Sequence, residues 1–212
     1  MVDHAMTTIQ QYRLALQIFQ ANRLRRDYRD LAEVPQYEPV GAFFFDEMYG
    51  PRDFADRDAQ GKRLQHFLHL VPGVHLRDVE EVLELLELTY RLDDGLAHIM
   101  FGRAVGVGFD EPTYEWLYRE ADNYDERLRQ LRLVDNSLRN VFRLSRSGLL
   151  GLALHRSRLV ARLVGIEVVH DFLTKGYDAL RPVSQIDTFA DTIYNRELQR
   201  LNRIYGKTCG DG

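Results

Sequence analysis

Glu167-Val-Val-His170 has the i, i+3 spacing by which one helix offers a carboxylate and an imidazole to a carboxylate-bridged di-iron centre. That architecture takes two such motifs and two further glutamates, and the chain has no second Glu-x-x-His. Glu80, Glu84 and Glu87 recur along one helical face and could donate ligands, but half a ligand set leaves a carboxylate/His metalloenzyme the weakest reading. His66 and His69 put two imidazoles on one face with no obvious third ligand. Asp46 and Glu47 are sequence neighbours, which on a helix point about 100° apart and cannot converge on one bond. Arg139, Arg143 and Arg146 fall at i, i+4 and i+7 and form a basic stripe. Guanidinium groups bind phosphate well, so the stripe is a candidate site for phosphate, phospholipid headgroups or nucleic acid. The alternative is pairing with the acidic helix at 78–94, in the same chain or in a second subunit. The nucleophile elbow, the P-loop, the dinucleotide fingerprint and His-Glu-x-x-His are all missing. No catalytic residue is assigned and no cofactor is expected; the balance leans away from an enzyme.

The elements that would carry these residues are helical throughout, since no segment shows convincing period-two alternation. A first helix is expected from about Thr7 to Leu31, with Ile9, Tyr12, Leu16 and Phe19 on one face and Arg23, Arg25, Arg26 and Arg29 suited to the negative end of its dipole. Pro35 and Pro39 predict an extended link. A short helix over Val40 to Tyr49 should stop at Gly50-Pro51, and Asp53 should cap a helix to about Leu70. Asp78 is expected to cap a helix to about Leu92 that buries Val79, Val82, Leu83, Leu86 and Tyr90, with Gly95 weakening the helical stretch Leu96 to Val105. Asp110-Glu111-Pro112 is a strong start for one long helix over about 111–145, with a kink or break near Asn136. Gly148 to Leu154 reads as a buried helical turn or two and Val160 to Leu180 as a further helix. Ser184 and Asp187 resemble a capping box for the last helix, ending near Tyr205. The expected fold class is all-α: a single-domain bundle of roughly seven to nine helices over 1–206, followed by a flexible tail at 207–212.

Composition agrees with an ordinary globular chain: of 212 residues, 45% are hydrophobic and 28% charged. Three of the 28 basic residues are lysines (Lys62, Lys175, Lys207) and the rest are arginines, a bias that suits a GC-rich bacterial genome. The net charge of −4 gives no general attraction to nucleic acid, which is disfavoured further by the lack of a helix-turn-helix with a basic second helix. The charge is unevenly spread. Residues 78–94 carry seven carboxylates against Arg91, and residues 127–162 carry nine arginines against Asp135. No apolar run reaches the roughly 18 residues of a membrane span. No secretory signal is visible at Met1-Val2-Asp3-His4, and a single Cys209 excludes an intrachain disulfide, so a cytoplasmic location is expected.

The densest stretch runs Phe43-Phe44-Phe45-Asp46-Glu47-Met48-Tyr49-Gly50-Pro51-Arg52-Asp53-Phe54. Phe43, Phe44, Met48 and Phe54 cannot share one narrow stripe, so the segment reads either as a short helix pressed between others or as an exposed aromatic patch for a partner. In the first reading Asp46 and Glu47 lie on its wet edge, paired to Arg52 or another arginine. The stretch resembles the signature of the bacterial proteins named for an FFLEELY motif. Phe43, Phe44, Asp46, Glu47, Tyr49, Gly50, Pro51, Asp53 and Phe54 match its core, whereas Phe45, Asp46 and Met48 replace Leu, Glu and Leu. The resemblance implies an uncharacterised family and carries no catalytic residues with it.

These observations point to a non-enzymatic helical binding or scaffolding protein acting through protein-protein contacts, expected to be a homodimer built on long amphipathic helices. The alternative is a carrier or sensor that holds an apolar or acyl-type small molecule in a helical pocket lined by the motif aromatics.

Overall fold

The computed structural model describes residues 8–44, 76–163 and 165–207, and these are all-α: nine helices and no strand among the described residues. They are α1 (Thr8–Asp27), α2 (Arg29–Ala32), α3 (Glu38–Ala42), α4 (Leu76–Gly102), α5 (Glu111–Ala121), α6 (Tyr124–Ser145), α7 (Gly148–Leu163), α8 (Glu167–Leu180) and α9 (Asp187–Tyr205). Helix α6 is central, packed against α4, α9 and α8; α1 lies along α4, and α5 bridges α4 and α9. Helix α7 is peripheral, resting on α8 and, less closely, on α6.

Two apolar clusters hold the bundle. One joins Leu24, Tyr28, Val40 and Phe44 to Leu85, Leu88 and Leu92 of α4, Val134 and Leu138 of α6, and Phe189 and Ile193 of α9. The other joins Leu16 of α1 to Leu96, Ala97 and Met100 of α4 and Tyr114 and Leu117 of α5, with Ile9, Tyr12 and Phe19 packed against it. The sequence assigned those α1 residues correctly. It misplaced the buried face of α4, which is carried by Leu85, Leu88, Leu92, Leu96 and Met100, while Val82, Leu86 and Tyr90 are only half-buried. That helix already includes Leu76, before Asp78, and runs unbroken through Gly95 because its flanks pack on both clusters.

Several boundaries differ from expectation for identifiable reasons. The first helix divides at Tyr28, whose backbone (φ −117°, ψ 21°) leaves the helical region between α1 and α2. Pro39 is not part of an extended link: it sits in the first turn of α3, where its missing N–H costs nothing. The helix expected over 111–145 is two helices. Asp110 caps α5 by accepting from the Thr113 amide at 3.0 Å. The helix then ends at Asp122, in the left-handed region at φ 47°, well before Asn136. Tyr205 of α9 fixes that corner, donating to the Tyr118 carbonyl at 2.6 Å and to Asn123 Oδ1 at 3.2 Å. Gly148 to Leu154 is not a buried turn but the first half of α7, with Leu149 and Leu152 exposed. Gly165, at φ 72°, separates α7 from α8 inside what reads as a single helix from Val160. Ser184 makes no capping box with Asp187; its hydroxyl donates to Gln36 Oε1 at 2.7 Å, and α9 begins at Asp187 itself. After α9, the Lys207 amide donates to the Asn202 carbonyl and its ammonium lies 3.8 Å from the Tyr124 ring centre. No helix of the described residues is long and apolar enough to cross a membrane.

Candidate functional site

Between the two apolar clusters the helices carry charge inward. Gln20 and Arg23 of α1, Asp93 of α4, and Arg127 and Gln130 of α6 are all buried. With Tyr114 and Tyr118 of α5 and Glu197 and Arg200 of α9 they line a cavity of about 60 Å³. Its anchor is a bidentate pair: Arg23 donates to both carboxylate oxygens of Glu197 at 2.6 and 2.9 Å, and the Tyr28 hydroxyl donates to Glu197 at 2.8 Å. Burial alone would raise the Glu197 carboxyl, but the Arg23 charge, its hydrogen bonds, that of Tyr28 and the Arg200 charge together hold it below the usual glutamate range. Burial likewise opposes the Arg23 cation, and Glu197 more than restores it. Arg200 reaches outward to Glu111 and Asp27.

The opposite wall is less well compensated. Asp93 Oδ1 accepts from Gln20 Nε2 at 3.0 Å. Burial pushes its carboxyl above the usual aspartate range, offset only in part by Arg127, Gln20 and Arg13. Arg127 donates to Gln130 Oε1 at 3.2 Å and to the Leu92 carbonyl at 3.5 Å, and its guanidinium stacks 4.2 Å from the Tyr118 ring centre. Gln130 in turn donates to Thr89 Oγ1 at 2.8 Å. The Nε–H groups of Arg23, Arg127 and Arg200 have no hydrogen-bond partner among the described residues.

A second feature lies on α7. Leu149, Leu152, Leu159, Val160 and Leu163 are all exposed, Leu149 by 80% and Leu163 by 78%. At 100° per residue these five fall within an arc of about 100°, so they form one outward apolar stripe, with Arg156 in its middle. The inner face is fixed by Gly151, which lets the Tyr177 ring of α8 sit directly on the α7 backbone: a Cβ there would lie 2.3 Å from the Tyr177 hydroxyl oxygen. That hydroxyl donates to the Ser147 carbonyl at 3.1 Å.

The α7–α8 seam also assembles Ser157, His170 and Asp171. His170 Nε2 lies 2.9 Å from the Leu154 carbonyl and 3.1 Å from Ser157 Oγ. A carbonyl only accepts, so Nε2 carries the proton and is not poised to take one from Ser157. Asp171 Oδ1 is 3.7 Å from Nδ1, too far for the hydrogen bond that orients a catalytic base. The grouping is a helix-to-helix tie. Glu167, the partner of His170 in the metal-like spacing, faces Arg162 with 3.7 Å between them. Among the described residues no cluster of three or more His, Cys, Asp or Glu is placed to hold a metal ion.

The arginine stripe is engaged within the chain. Arg139 pairs with Asp135 of its own helix at 3.0 Å and with Asp187 and Asp191 at the start of α9. Arg143 donates to Asn140 Oδ1 at 2.9 Å. Arg146 donates to the carbonyls of Leu180, the last residue of α8, and of Val183 just after it, and stacks on Phe142. The acidic and basic stretches do meet, through other residues: Arg129 pairs with Glu84, Arg91 with Glu126, and Asn140 donates to Glu81. Of the aromatic motif, Phe44 is buried in the first cluster and Phe43 packs on Phe172 at 5.1 Å between ring centres and against Gly176. Asp46, Glu47, Tyr49, Arg52, Asp53 and Phe54 lie outside the described residues, as do His66, His69 and Cys209.

Sequence reasoning did not single out Arg23, Asp93, Arg127 or Glu197. The signal was there in part: Gln20 and Arg23 share the apolar face of Leu16, and Asp93 stands between Leu92 and Leu96 on the buried side of α4. Polar residues on a core-facing stripe mark an internal network.

Fold and site together define an all-α bundle protein with a buried, charged interior layer. The chain belongs to the family described as Domain of unknown function (DUF8198), whose model matches residues 2–209. No curated protein and no solved structure matches it.

Proposed function

We propose that this chain is a non-enzymatic helical scaffold of the cytoplasm that acts through protein-protein contacts, and first of all through a second copy of itself docked on α7. The observation that carries this reading is the exposed apolar stripe Leu149, Leu152, Leu159, Val160 and Leu163 on a peripheral helix. Contiguous apolar surface of this kind on a helix is a mark of an interface. The charges of α7 favour a self-complementary arrangement. Arg156, Arg158 and Arg162 occupy its second half, and Gly148 to Leu154 carry no charge. An antiparallel pair with its two-fold axis at the level of Leu154 and His155 sets Leu149 opposite Val160 and moves Arg158 and Arg162 away from their counterparts, which a parallel pair would oppose, while the two Arg156 stay about one turn apart. Such a contact is small beside the roughly 1,200–2,000 Å² of standard interfaces, so an affinity on the order of micromolar is expected. The match of Phe43, Phe44, Asp46, Glu47, Tyr49, Gly50, Pro51, Asp53 and Phe54 to the signature supports placing the chain with the bacterial FFLEELY-motif proteins.

Sedimentation velocity on the wild type and on the double variant Leu159→Asp, Leu163→Asp tests the reading. A concentration-dependent dimer that the variant loses supports it. A wild type that stays monomeric at tens of micromolar contradicts it, as does a monomer whose α7 instead binds anionic vesicles in flotation.

One observation favours a second reading. A cavity of about 50 Å³ with an almost wholly apolar wall lies between Val40, Phe43, Val134, Leu138, Phe172 and Leu180. It supports a small apolar ligand held against a motif aromatic. Native mass spectrometry of freshly purified protein tests this, and the absence of a co-purifying mass removes its support.

A further inference from the structure

The central cavity is built like a receptor for negative charge. Three arginines line it, Arg23, Arg127 and Arg200, and each keeps an Nε–H that nothing among the described residues accepts. Buried donors of this kind are rarely left unpaired, because an unmade hydrogen bond costs the full desolvation of the group. Arg23 and Arg200 have carboxylate partners within the chain. Arg127 does not: it is 3% exposed and held by an amide oxygen, a backbone carbonyl and an aromatic face. No carboxylate lies within 4 Å of it among the described residues; Asp93, on the same wall, favours the cation only from longer range, and burial opposes the charge of that carboxyl. A buried cation without a close counter-ion is among the costliest arrangements a core can hold, so its retention points to a ligand that supplies the missing charge.

We propose that this cavity binds a small oxyanion, a carboxylate or a phosphate group, with the Arg127 guanidinium as its principal contact. A volume of about 60 Å³ has room for about two waters at roughly 30 Å³ each, or for one small oxyanion in their place. A planar guanidinium with several donors in a fixed fork suits either oxyanion geometry, and the free Nε–H groups of Arg23 and Arg200 offer further donors on the same lining. The Tyr118 hydroxyl, which accepts from that of Tyr114 at 2.8 Å, adds a neutral donor. Water could fill the same space, but it brings no charge to Arg127.

Isothermal titration calorimetry of the full chain with sodium formate and, separately, sodium phosphate, in a chloride background of constant ionic strength, tests the proposal. Saturable binding of one or both is expected, and which of the two binds tells carboxylate from phosphate recognition. Arg127→Met should weaken binding by about tenfold or more. Asp93→Asn removes the competing negative charge and should tighten it severalfold, which keeps the proposal testable where Arg127→Met fails to fold. No saturable binding of either anion overturns the proposal, as does an Arg127→Met protein that binds as the wild type or an Asp93→Asn protein that binds more weakly.

Discussion

Arg23 near the end of α1 and Glu197 in α9 form a bidentate ion pair at 2.6 and 2.9 Å, with side chains only 7% and 16% exposed. The pair joins the first and last helices of the described chain across the charged layer, and Tyr28 adds a third hydrogen bond to the same carboxylate. Breaking one half leaves the other charged and buried. Glu197→Gln is therefore expected to cost about 3–5 kcal/mol of unfolding free energy, read as a drop in urea midpoint at unchanged slope. A loss under about 1 kcal/mol would show that water reaches Arg23 freely.

Asp93 gives a pH signature of the opposite sense. Its folded carboxyl sits above the unfolded one, so between the two values the native state binds more protons than the unfolded state. Stability contributed by the neutral acid is present below the ordinary aspartate range and is lost as pH rises through the folded value. Asp93→Asn should remove that decline and flatten the upper part of the stability profile. Glu197, held low, acts in the other window: its contribution is present above the ordinary glutamate range and fades as pH falls through its folded value. Urea unfolding of the two proteins across acidic to neutral pH checks the sign. An undiminished decline in Asp93→Asn would assign it to another group.

Two glycines separate packing from propensity. A Cβ on Gly151 meets Tyr177 at 2.3–2.7 Å, so Gly151→Ala must push the ring away from α7 and cost about 1–3 kcal/mol. Gly95 is exposed within α4 and has open space around its Cβ position, so Gly95→Ala should gain about 0.5–1 kcal/mol. Thermal unfolding of both variants checks the pair of signs.

The contrast at these glycines shows what the sequence could reveal. All-helical class, the Asp110 cap and the core face of α1 follow from local chemistry and periodicity, which are written in neighbouring residues. The break at Asp122 does not, because it depends on Tyr205, over eighty residues away, closing the corner. The α4 face was misread because that helix packs on both clusters and turns different residues inward along its length. Arg23 resembled a helix-end cation suited to the dipole; only the position of Glu197 on α9 shows that it points inward. The candidate site was least legible of all, since its residues are spread over five helices, α1, α4, α5, α6 and α9, and form no recognisable motif within any of them.

Whether α7 meets α7 in an antiparallel pair can be measured by disulfide trapping. With Cys209 replaced by Ser, chains carrying Leu149→Cys are mixed with chains carrying Val160→Cys and oxidised mildly. The mixed disulfide should form far faster than either like pair, because only Leu149 and Val160 are brought within the roughly 4.4–6.8 Å Cα separation that a disulfide spans. Equal rates for mixed and like pairs, or no crosslink at concentrations of tens of micromolar, would contradict a second copy seated on this face.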